Sequence, residues 1–257
     1  MHVHNIDEHR NKDGDHNTTI DPDEIKHFAK DSDQWWDEDG PFKPLHKLNP
    51  VRMGYVKTQI CKHYNIDEYD AEAFEKLNII DIGCGGGLVS ESLASMGAKV
   101  TGVDADQNAI NVATQHAKQS ELDITYICDD AKNLDAQYDV VVALEIIEHV
   151  RNVEDFIETC KDRLKPGGIL ILSTLNRTAK SYALGIIAAE YILRWVPRGT
   201  HSWDKFVKPA EIAKAARKNN LTPHNVTGLI YNPFKDIFEL SEHDLDVNYL
   251  ISLSSNT

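Results

Sequence analysis

The segment 78–87 constrains the fold of this chain more than any other, because it joins a short apolar strand to a glycine-rich loop through one acidic residue. It reads Asn-Ile-Ile-Asp-Ile-Gly-Cys-Gly-Gly-Gly. Glycines at Gly83, Gly85 and Gly87 let the backbone turn sharply and approach a ligand closely. We expect a helix to follow the loop and open toward that ligand. The segment therefore predicts a nucleotide-like cofactor site, with Gly83 and Gly85 against the cofactor.

The spacing of the glycines discriminates between cofactors. In the G-x-G-x-x-G pattern of dinucleotide-binding proteins, the third glycine would fall on Leu88, so that pattern is absent. The acidic residue, Asp81, stands before the loop, where it would repel a pyrophosphate. It could instead orient loop amides or accept a hydrogen bond from the ammonium of an amino-acid group. S-adenosylmethionine has that ammonium and no phosphate, and it is the cofactor that we predict.

A second apolar run, Lys99–Asp104, supports this prediction because it also ends in an acidic residue. In a βαβ unit, a carboxylate at this place binds the ribose hydroxyls of the cofactor. We expect Asp104 to accept from both hydroxyls. The glycine loop alone could be an ordinary tight turn, and the acidic residue after the second strand makes the cofactor interpretation much stronger.

The rest of the chain alternates between apolar runs and amphipathic stretches, as in an α/β protein. Continuous apolar strands indicate a sheet that is covered on both faces. Further strands are predicted at 126–130, 138–143, 168–173, 222–231 and 247–252, with a late helix at 209–219. The order predicts a doubly wound, Rossmann-like, seven-stranded sheet of the class I methyltransferase type.

Length and charge narrow the function. A chain of 257 residues with 41% apolar content can form one large domain with an added segment. Its net charge of −14 argues against a nucleic-acid partner, whose phosphates require a basic surface. Amino methyltransferases of nucleic acids usually carry Asn/Asp-Pro-Pro-aromatic after the fourth strand, where this chain has 144–149, Leu-Glu-Ile-Ile-Glu-His. A small-molecule substrate is expected.

The four cysteines are widely spaced, without a Cys-x-x-Cys pair, which indicates neither a disulfide framework nor a zinc ribbon and suits a reducing cytoplasm. No apolar signal core or arginine-rich transit peptide is evident at the start. We expect residues 1–18 to be a disordered tail, whose histidines are more typical of a solvated segment than of a metal site. Residues 19–75 are expected to form a helical lid, and 76–257 the catalytic domain.

Apart from about the first 18 residues, the chain closely resembles one family, the ubiquinone biosynthesis O-methyltransferases. The matching segments are 35–52, the glycine loop, 145–149, 173–177, 189–193, 199–201 and 228–233. The resemblance implies methylation of polyprenylated catechol intermediates, at the 2-polyprenyl-6-hydroxyphenol and 3-demethylubiquinol steps. It places cofactor contacts at Arg52, Gly83, Asp104 and Leu144. The leucine replaces a common methionine and would still provide an apolar wall for the adenine.

Several residues of this match have two interpretations. Arg52 could clamp the carboxylate of the cofactor through two parallel hydrogen bonds, or form a surface salt bridge. Trp35 and Trp36 could anchor an N-terminal helix on the core or contact the substrate, and in either case their segment is expected to form a lid. Asp130 could accept from the adenine amino group or cap a helix.

The reaction would be an in-line attack of a phenolic oxygen on the sulfonium methyl group, and it requires a deprotonated nucleophile. Glu145, Glu148 and His149 follow the fourth strand at the sheet edge where open α/β folds bind ligands. On a helical turn their spacing would converge on one face, where they could hold a divalent cation such as Mg²⁺ against both catechol oxygens. The resemblance also suggests a metal there. Alternatively, the two acids solvate the next helix and His149 alone is the base, with His201 as a second candidate.

The segment 181–196 is far more apolar than its surroundings and belongs to an insertion at about 178–208. It is too short to span a bilayer. It could lie at the surface of the inner membrane, where a polyprenyl substrate is collected, or cap the substrate. A cytoplasmic, peripheral location and a biosynthetic complex are expected. Methylation of another small acceptor, or a non-catalytic cofactor-binding scaffold in a membrane-associated assembly, are the alternatives.

Overall fold

The computed structural model describes residues 18–21, 32–70, 72–184 and 202–256. Most of the predicted tail, most of the apolar segment 181–196 and the second base candidate, His201, lie outside these residues. Within the described ranges, no helix is both long and apolar enough to cross a membrane.

An eight-stranded sheet forms the centre of the molecule, in the order β3-β2-β1-β4-β5-β8-β6-β7. β1 to β5 run parallel, while β8, β6 and β7 continue the sheet in antiparallel pairs. The strands are β1 Asn78–Ile82, β2 Lys99–Asp104, β3 Ile124–Cys128, β4 Tyr138–Leu144, β5 Leu164–Leu175, β6 Leu221–Asn232, β7 Ile237–Ser241 and β8 Asn248–Ser255.

The doubly wound α/β class is confirmed, but the sheet has one strand more than the seven predicted. The additional strand is β7, which pairs only with β6 at the end of the sheet. Two of its apolar side chains, Ile237 and Leu240, are exposed. A short edge strand of this kind has no continuous buried run, and for that reason its sequence gave little indication of a strand.

Five helices of eight or more residues cover the described part of the sheet. They are α1 Lys43–Tyr64, α2 Leu88–Ser95, α3 Gln107–Gln119, α4 Val153–Asp162 and α5 Pro209–Lys218. α3 and α4 begin at side-chain caps, since Asp106 accepts from the amide of Asn108 and Asn152 accepts from the amide of Glu154. α1 ends at Asn65, which adopts the left-handed conformation and donates its amide to the Cys61 carbonyl.

The alternation of side chains along the strands divides the core between the two faces of the sheet. Val140 and Val142 of β4 belong to one apolar cluster, and Val141 and Ala143 belong to the other. All four are fully buried. The continuous apolar run in β4 therefore reflects burial on both faces, as the sequence predicted, and each fully buried valine contributes about 1.5–3 kcal/mol of hydrophobic stabilisation.

The order of the strands determines where a ligand can bind. The chain passes from β1 to β2 on one side, and from β4 to β5 on the other, while β1 and β4 are neighbours. This point of reversal leaves a crevice at the carboxyl ends of β1 and β4. The glycine loop follows β1, and the segment that begins with Glu145 follows β4, so both lie at the crevice.

The segment 32–42, which precedes α1, packs against the glycine loop. The ring of Trp35 is stacked on Phe42 with centroids 4.0 Å apart. The indole N–H of Trp36 donates to the carbonyl of Gly86 at 3.0 Å, and its ring stacks on His116 at 3.4 Å. The two tryptophans thus anchor a turn, and not a helix of their own, directly on the loop.

The contact between Trp35 and the loop gives a stability prediction. A Cβ atom on Gly86 would lie 2.4 Å from Cγ of Trp35, whereas a Cβ on Gly54, inside α1, would have no atom within 4 Å. We expect Gly86→Ala to lower the free energy of unfolding by about 1–3 kcal/mol through overpacking. Gly54→Ala, the matched control, should raise it by about 0.5–1 kcal/mol because alanine favours the helix.

Chemical denaturation of both variants measures these differences. The assignment to Trp35 is tested by combining Gly86→Ala with Trp35→Ala, which opens the space that the new methyl group needs. If the cost of Gly86→Ala is the same in both backgrounds, the contact with Trp35 is not its cause.

Candidate active site

A cavity of about 740 Å³ occupies the crevice at the carboxyl ends of β1 and β4. Every residue that the sequence analysis assigned to cofactor binding or catalysis, apart from the undescribed His201, lines this cavity. These residues come from α1, from the ends of three parallel strands and from the loops that follow the strands, and residues of β5, β6, β7 and β8 complete the lining. The individual contacts show what each residue can do there.

The glycine loop adopts a conformation that requires glycine. Gly83 and Gly85 have positive φ angles of 75° and 52°. A Cβ on Gly83 would lie 2.7 Å from the side chain of Ile146, and one on Gly85 would lie 2.3 Å from the ring of Trp35. The backbone of the loop is thereby held close to the cavity.

Asp104, at the end of β2, is the residue that holds this loop. Its Oδ2 accepts from the amide of Gly85 at 2.8 Å, and its Oδ1 accepts from the amide of Asp106 at 2.9 Å. Burial raises the pKa of Asp104, and the amide hydrogen bonds oppose that change. Each carboxylate oxygen can accept more than one hydrogen bond, so lone pairs remain for two ligand hydroxyls.

Asp81 lies below the loop and is only 2% exposed. Its Oδ2 accepts from the hydroxyl of Ser90 at 2.7 Å. Burial raises the pKa of Asp81 to about 6, although the hydrogen bond from Ser90 and the charge of Arg52 act in the opposite direction. A cationic ligand group beside this buried carboxyl group would favour its charged form. The site therefore suits a cationic ligand group.

Arg52 reaches the cavity from α1 and is 3% exposed, which excludes the surface salt bridge considered above. Its Nη2 donates to Oδ1 of Asn49 at 3.2 Å, while its Nε–H has no hydrogen-bond partner among the described residues. Burial lowers the pKa of Arg52, and the charges of Glu145 and Asp81 oppose the change. Because buried polar groups are almost always paired, the unused donor indicates a place for an anionic ligand group.

Of the two roles predicted for Asp130, the structure shows that of a cap. Its Oδ1 accepts from the amide of Lys132 and so caps the 3₁₀ turn Ala131–Asn133. Its Oδ2 accepts from the hydroxyl of Thr18 at 2.7 Å and from the amide of Thr19 at 2.9 Å. Asp130 therefore ties the N-terminal segment to the cavity wall, and Thr18, assigned to the disordered tail, makes a specific contact.

The residues after β4 form a polar group on the other side of the crevice. Leu144, the last residue of β4, is 7% exposed and lines the cavity. Glu145 follows it with a φ angle of 56°, a conformation that is uncommon outside glycine and is concentrated at functional sites. Its Oε1 accepts from the hydroxyl of Ser173 at 2.6 Å, and both oxygens accept from the Asn248 amide at 3.0–3.1 Å.

Glu148 and His149 belong to a separate 3₁₀ turn, Ile147–His149. Glu148 is 3% exposed, and its Oε2 accepts from the hydroxyl of Thr174 at 2.8 Å. Burial, followed by the negative charge of Glu145, raises the pKa of Glu148, whereas His149 acts to lower it. His149 lies in the cavity beside this acid, where an imidazolium would be stabilised.

The predicted convergence of Glu145, Glu148 and His149 on one helical face is wrong. The left-handed backbone at Glu145 interrupts the turn, and Ser173 and Asn248 already engage its carboxylate. In the part of the chain that the structure describes, no three His, Cys, Asp or Glu side chains are grouped so that they could hold a metal ion. The donor types suit a divalent cation, but their arrangement does not.

Sequence reasoning missed the residues that position the two acids. Ser173 and Thr174, both fully buried, come from β5, and Asn248 comes from β8. The Oδ1 of Asn248 has no hydrogen-bond partner among the described residues, so it is available to a ligand. Two hydroxyl residues at the end of the apolar run of β5 were a signal for the first pair. Nothing near Asn248 in the sequence indicated its role.

Comparisons with known proteins agree with this arrangement. A family model described as a methyltransferase domain matches residues 55–226. The fold resembles the magnesium protoporphyrin IX methyltransferase of Synechocystis PCC 6803 with bound SAM, at a TM-score of 0.59 and 17% identity over 93% of this chain and 100% of that one. It also resembles a possible histamine N-methyltransferase from Thermotoga maritima, at a TM-score of 0.60 and 15% identity over 91% and 99%. The fold and site define an S-adenosylmethionine-dependent methyltransferase.

Curated relatives define the family within this class. A ubiquinone biosynthesis O-methyltransferase from Roseobacter denitrificans is 46% identical over 91% of this chain and 95% of its own length. Proteins with the same name from Brucella ovis and Nitrobacter winogradskyi are 46% and 43% identical over 91% of this chain and 95% and 90% of their lengths. The chain belongs to the family of ubiquinone biosynthesis O-methyltransferases, and the resemblance noted in its sequence is confirmed.

Proposed function

We propose that this protein transfers the methyl group of S-adenosylmethionine to a phenolic oxygen of polyprenylated catechols in ubiquinone biosynthesis. It acts at both O-methylation steps, on 2-polyprenyl-6-hydroxyphenol and on 3-demethylubiquinol. The observation that carries the proposal is that one cavity unites the buried Arg52 and the half-buried Asp104 with His149 and two acids. Membership of the family supports the choice of substrate.

The cofactor is held by its polar groups. Arg52 binds its carboxylate, to which the unused Nε–H can donate. Asp81 accepts from its ammonium, and Asp104 accepts from its ribose hydroxyls. The backbone at Gly83 and Gly85 approaches the cofactor without side chains in the way. Leu144 packs against the adenine, while Asp130 acts indirectly, through the N-terminal segment that it holds.

In the reaction, the phenolic oxygen attacks the methyl carbon of the sulfonium. The new bond is O–CH₃, the C–S bond breaks, and its electron pair stays on sulfur to leave S-adenosylhomocysteine. His149 accepts the phenolic proton. A phenol with a pKa of about 10 is ionised to roughly one part in a thousand at pH 7, so activation must supply up to about 4 kcal/mol. The negative charge of Glu148 stabilises the resulting imidazolium.

The direct test uses the purified protein, S-adenosylmethionine and a farnesyl catechol, with mass spectrometry to detect one added methyl group and its position on oxygen. We expect methylated product and S-adenosylhomocysteine in equal amounts. If calorimetry shows cofactor binding but no catechol is methylated, the proposal is wrong. Such a result would favour another small acceptor or a non-catalytic scaffold in a membrane-associated assembly.

A divalent cation is a separate proposal, because Glu145, Glu148 and His149 would have to rearrange to hold it. Such an ion would supply Lewis-acid stabilisation of the phenolate. Adding a chelator to the catechol assay tests whether the reaction requires this cation. A loss of activity that Mg²⁺ restores in the wild type, but not in Glu145→Gln, would assign the ion to these residues. An unchanged rate after chelation would leave activation to His149 alone.

The raised pKa of Asp81 predicts how cofactor binding depends on pH. The ammonium of the cofactor binds the charged carboxylate, so the dissociation constant should rise below pH 6, by up to about tenfold per pH unit. The free energy of unfolding should increase over the pH range in which cofactor binding weakens. Because the folded protein holds this proton more tightly than the unfolded chain, protonation stabilises the fold as the pH falls through 6.

Isothermal titration of S-adenosylmethionine between pH 5 and pH 8 checks the prediction, with Asp81→Asn as the comparison. The variant should bind more weakly at pH 8 and lose the pH dependence that this carboxylate confers. If wild type and variant change in parallel below pH 6, Asp81 does not contact the ammonium.

We also propose that the enzyme is cytoplasmic and works at the inner membrane surface, alone or within a biosynthetic complex. Tyr182 and Leu184, at the start of the segment 181–196, are each 48% exposed, and Leu184 also lines the cavity. An apolar side chain at this position could contact lipid beside the substrate entrance. Co-sedimentation with anionic liposomes should be reduced by Leu184→Asp, and an unchanged fraction on the liposomes would contradict the role of Leu184.

A further inference from the structure

We infer that the polyprenyl tail of the substrate lies in an apolar arm of the cavity, between α1 and the hairpin that β6 and β7 form. This inference rests on the proposed function and adds the part of the protein that recognises the tail. It also assigns a role to β7, the strand that the sequence did not predict.

The arm, as we define it, consists of cavity-lining side chains from two elements. They are Pro44, Leu45 and Leu48 of α1, and Leu229, Tyr231 and Phe238 of the hairpin. Tyr231 and Phe238 face each other across the two strands, paired in register with ring centroids 5.2 Å apart. Five of the six side chains have no polar atom, so the arm suits a hydrocarbon and not a charged or hydroxylated group.

The arm is continuous with the catalytic residues. Its hairpin wall is separate from the strands that carry the cofactor residues, while its other wall, α1, also carries Arg52. The same cavity reaches from Asp104, at the end of β2, to Phe238, on β7. β2 and β7 lie in opposite halves of the sheet, with β1, β4, β5, β8 and β6 between them. His149 follows β4, which lies between β2 and β7 in the strand order of the sheet. A catechol ring at His149 would therefore have the cofactor on one side and the arm on the other.

A polar bridge crosses from α1 to the hairpin beside the arm. The ammonium of Lys47 donates to Oδ2 of Asp236 at 2.5 Å, and the hydroxyl of Tyr231 donates to Oδ1 of the same carboxylate at 2.5 Å. Lys47 and Asp236 are 32% and 60% exposed. Exposed ion pairs of this kind are weak, so an incoming tail can displace the bridge without a large penalty.

The apolar path continues from the arm to the protein surface. Pro233 lines the cavity, and the adjacent Phe234, in the turn of the hairpin, is 98% exposed. The exposed ring of Phe234 is therefore accessible to a hydrocarbon that leaves the cavity beside Pro233. A tail that is longer than the arm would leave the protein along these two residues.

Successive side chains of β7 point to opposite faces of the sheet, which allows a matched pair of substitutions. Phe238 points into the cavity, whereas its neighbour Ile237 is 44% exposed and is not part of the lining. Phe238→Trp therefore fills the arm, and Ile237→Trp adds the same side chain on the other face of the same strand. Leu45→Trp fills the arm from α1 and serves as a second variant if Phe238→Trp does not fold.

The test measures kcat/KM for a farnesyl catechol and for an unprenylated methylcatechol, and compares the ratio of the two values. We expect Phe238→Trp and Leu45→Trp to lower this ratio by at least about tenfold, and Ile237→Trp to leave it within about twofold of the wild type. Calorimetric titration of S-adenosylmethionine shows that each variant is folded and binds its cofactor.

The outcomes separate this inference from the proposed function. If the wild type methylates both catechols and the arm variants leave the ratio unchanged, the tail lies elsewhere and the inference is wrong, while the proposed function stands. An equal fall of the ratio in the Ile237→Trp control would also overturn it. If the wild type binds the cofactor and methylates neither catechol, the proposed function fails, and this inference fails with it.

Discussion

Replacing His149 by alanine is expected to lower kcat by about 100-fold to 10,000-fold, the range typical of a lost general base. The affinity for S-adenosylmethionine should stay the same, because the proposed cofactor contacts come from Arg52, Asp81 and Asp104. His149 lies in the cavity beside the buried Glu148, where it can accept the phenolic proton. Single-turnover kinetics with a saturating catechol measures the chemical step directly.

The pH dependence distinguishes a lost base from a disturbed structure. A catechol ionises without help as the pH approaches about 10, so the deficit of His149→Ala should shrink as the pH rises. The rate of the variant should increase about tenfold per pH unit, while the wild type changes much less. His243→Ala, which removes an exposed histidine outside the cavity lining, is the control and should behave as the wild type. A constant deficit at all pH values would mean that His149 has a structural role.

Replacing Arg52 by alanine should raise the dissociation constant of S-adenosylmethionine by about 10-fold to 100-fold. The reason is the loss of the contact between the guanidinium and the carboxylate, whose net contribution of about 1.5–3 kcal/mol corresponds to this range. Arg52 is buried, and its Nε–H has no partner among the described residues. Its replacement also removes the hydrogen bond to Asn49 and the positive charge that faces Asp81 and Glu145, so a thermal unfolding measurement on the variant accompanies the titration. Isothermal titration calorimetry provides the measurement.

Arg52→Lys is the matched variant for this experiment. Lysine keeps the positive charge but cannot form two parallel hydrogen bonds with one carboxylate. Its dissociation constant should therefore fall between those of the wild type and Arg52→Ala. If both variants bind the cofactor as tightly as the wild type, the carboxylate is bound elsewhere, and Arg52 serves only to balance the charges of Asp81 and Glu145.

The parts of the site that depend on short stretches of sequence were predictable. The glycine loop requires its glycines because three of them have positive φ angles and all approach other side chains closely. Asp104 stands at the end of β2, as its place after an apolar run indicated. Parallel strands end at the same edge of a sheet, so the order of strands and loops was enough to bring these residues together.

The arrangement of the acids after β4 was not predictable in the same way. Helical spacing suggested a metal-binding face, but Glu145 takes a left-handed conformation, which the chain alone does not indicate. That conformation accompanies contacts with Ser173 and with Asn248, which lies 103 positions away. The same holds for Asp130, which is bound by Thr18 over a separation of 112 positions.

The sequence by itself determined the class of this protein, because strand periodicity, glycine spacing and the acidic residues near the ends of β1 and β2 are local properties of the chain. It also indicated the family and the identity of the candidate site residues. The tertiary structure alone decided which polar groups are buried, which hydrogen bonds are already made and where the apolar arm lies. These properties depend on residues such as Leu45 and Phe238, which are distant in sequence and line the same cavity only when the sheet and its helices pack.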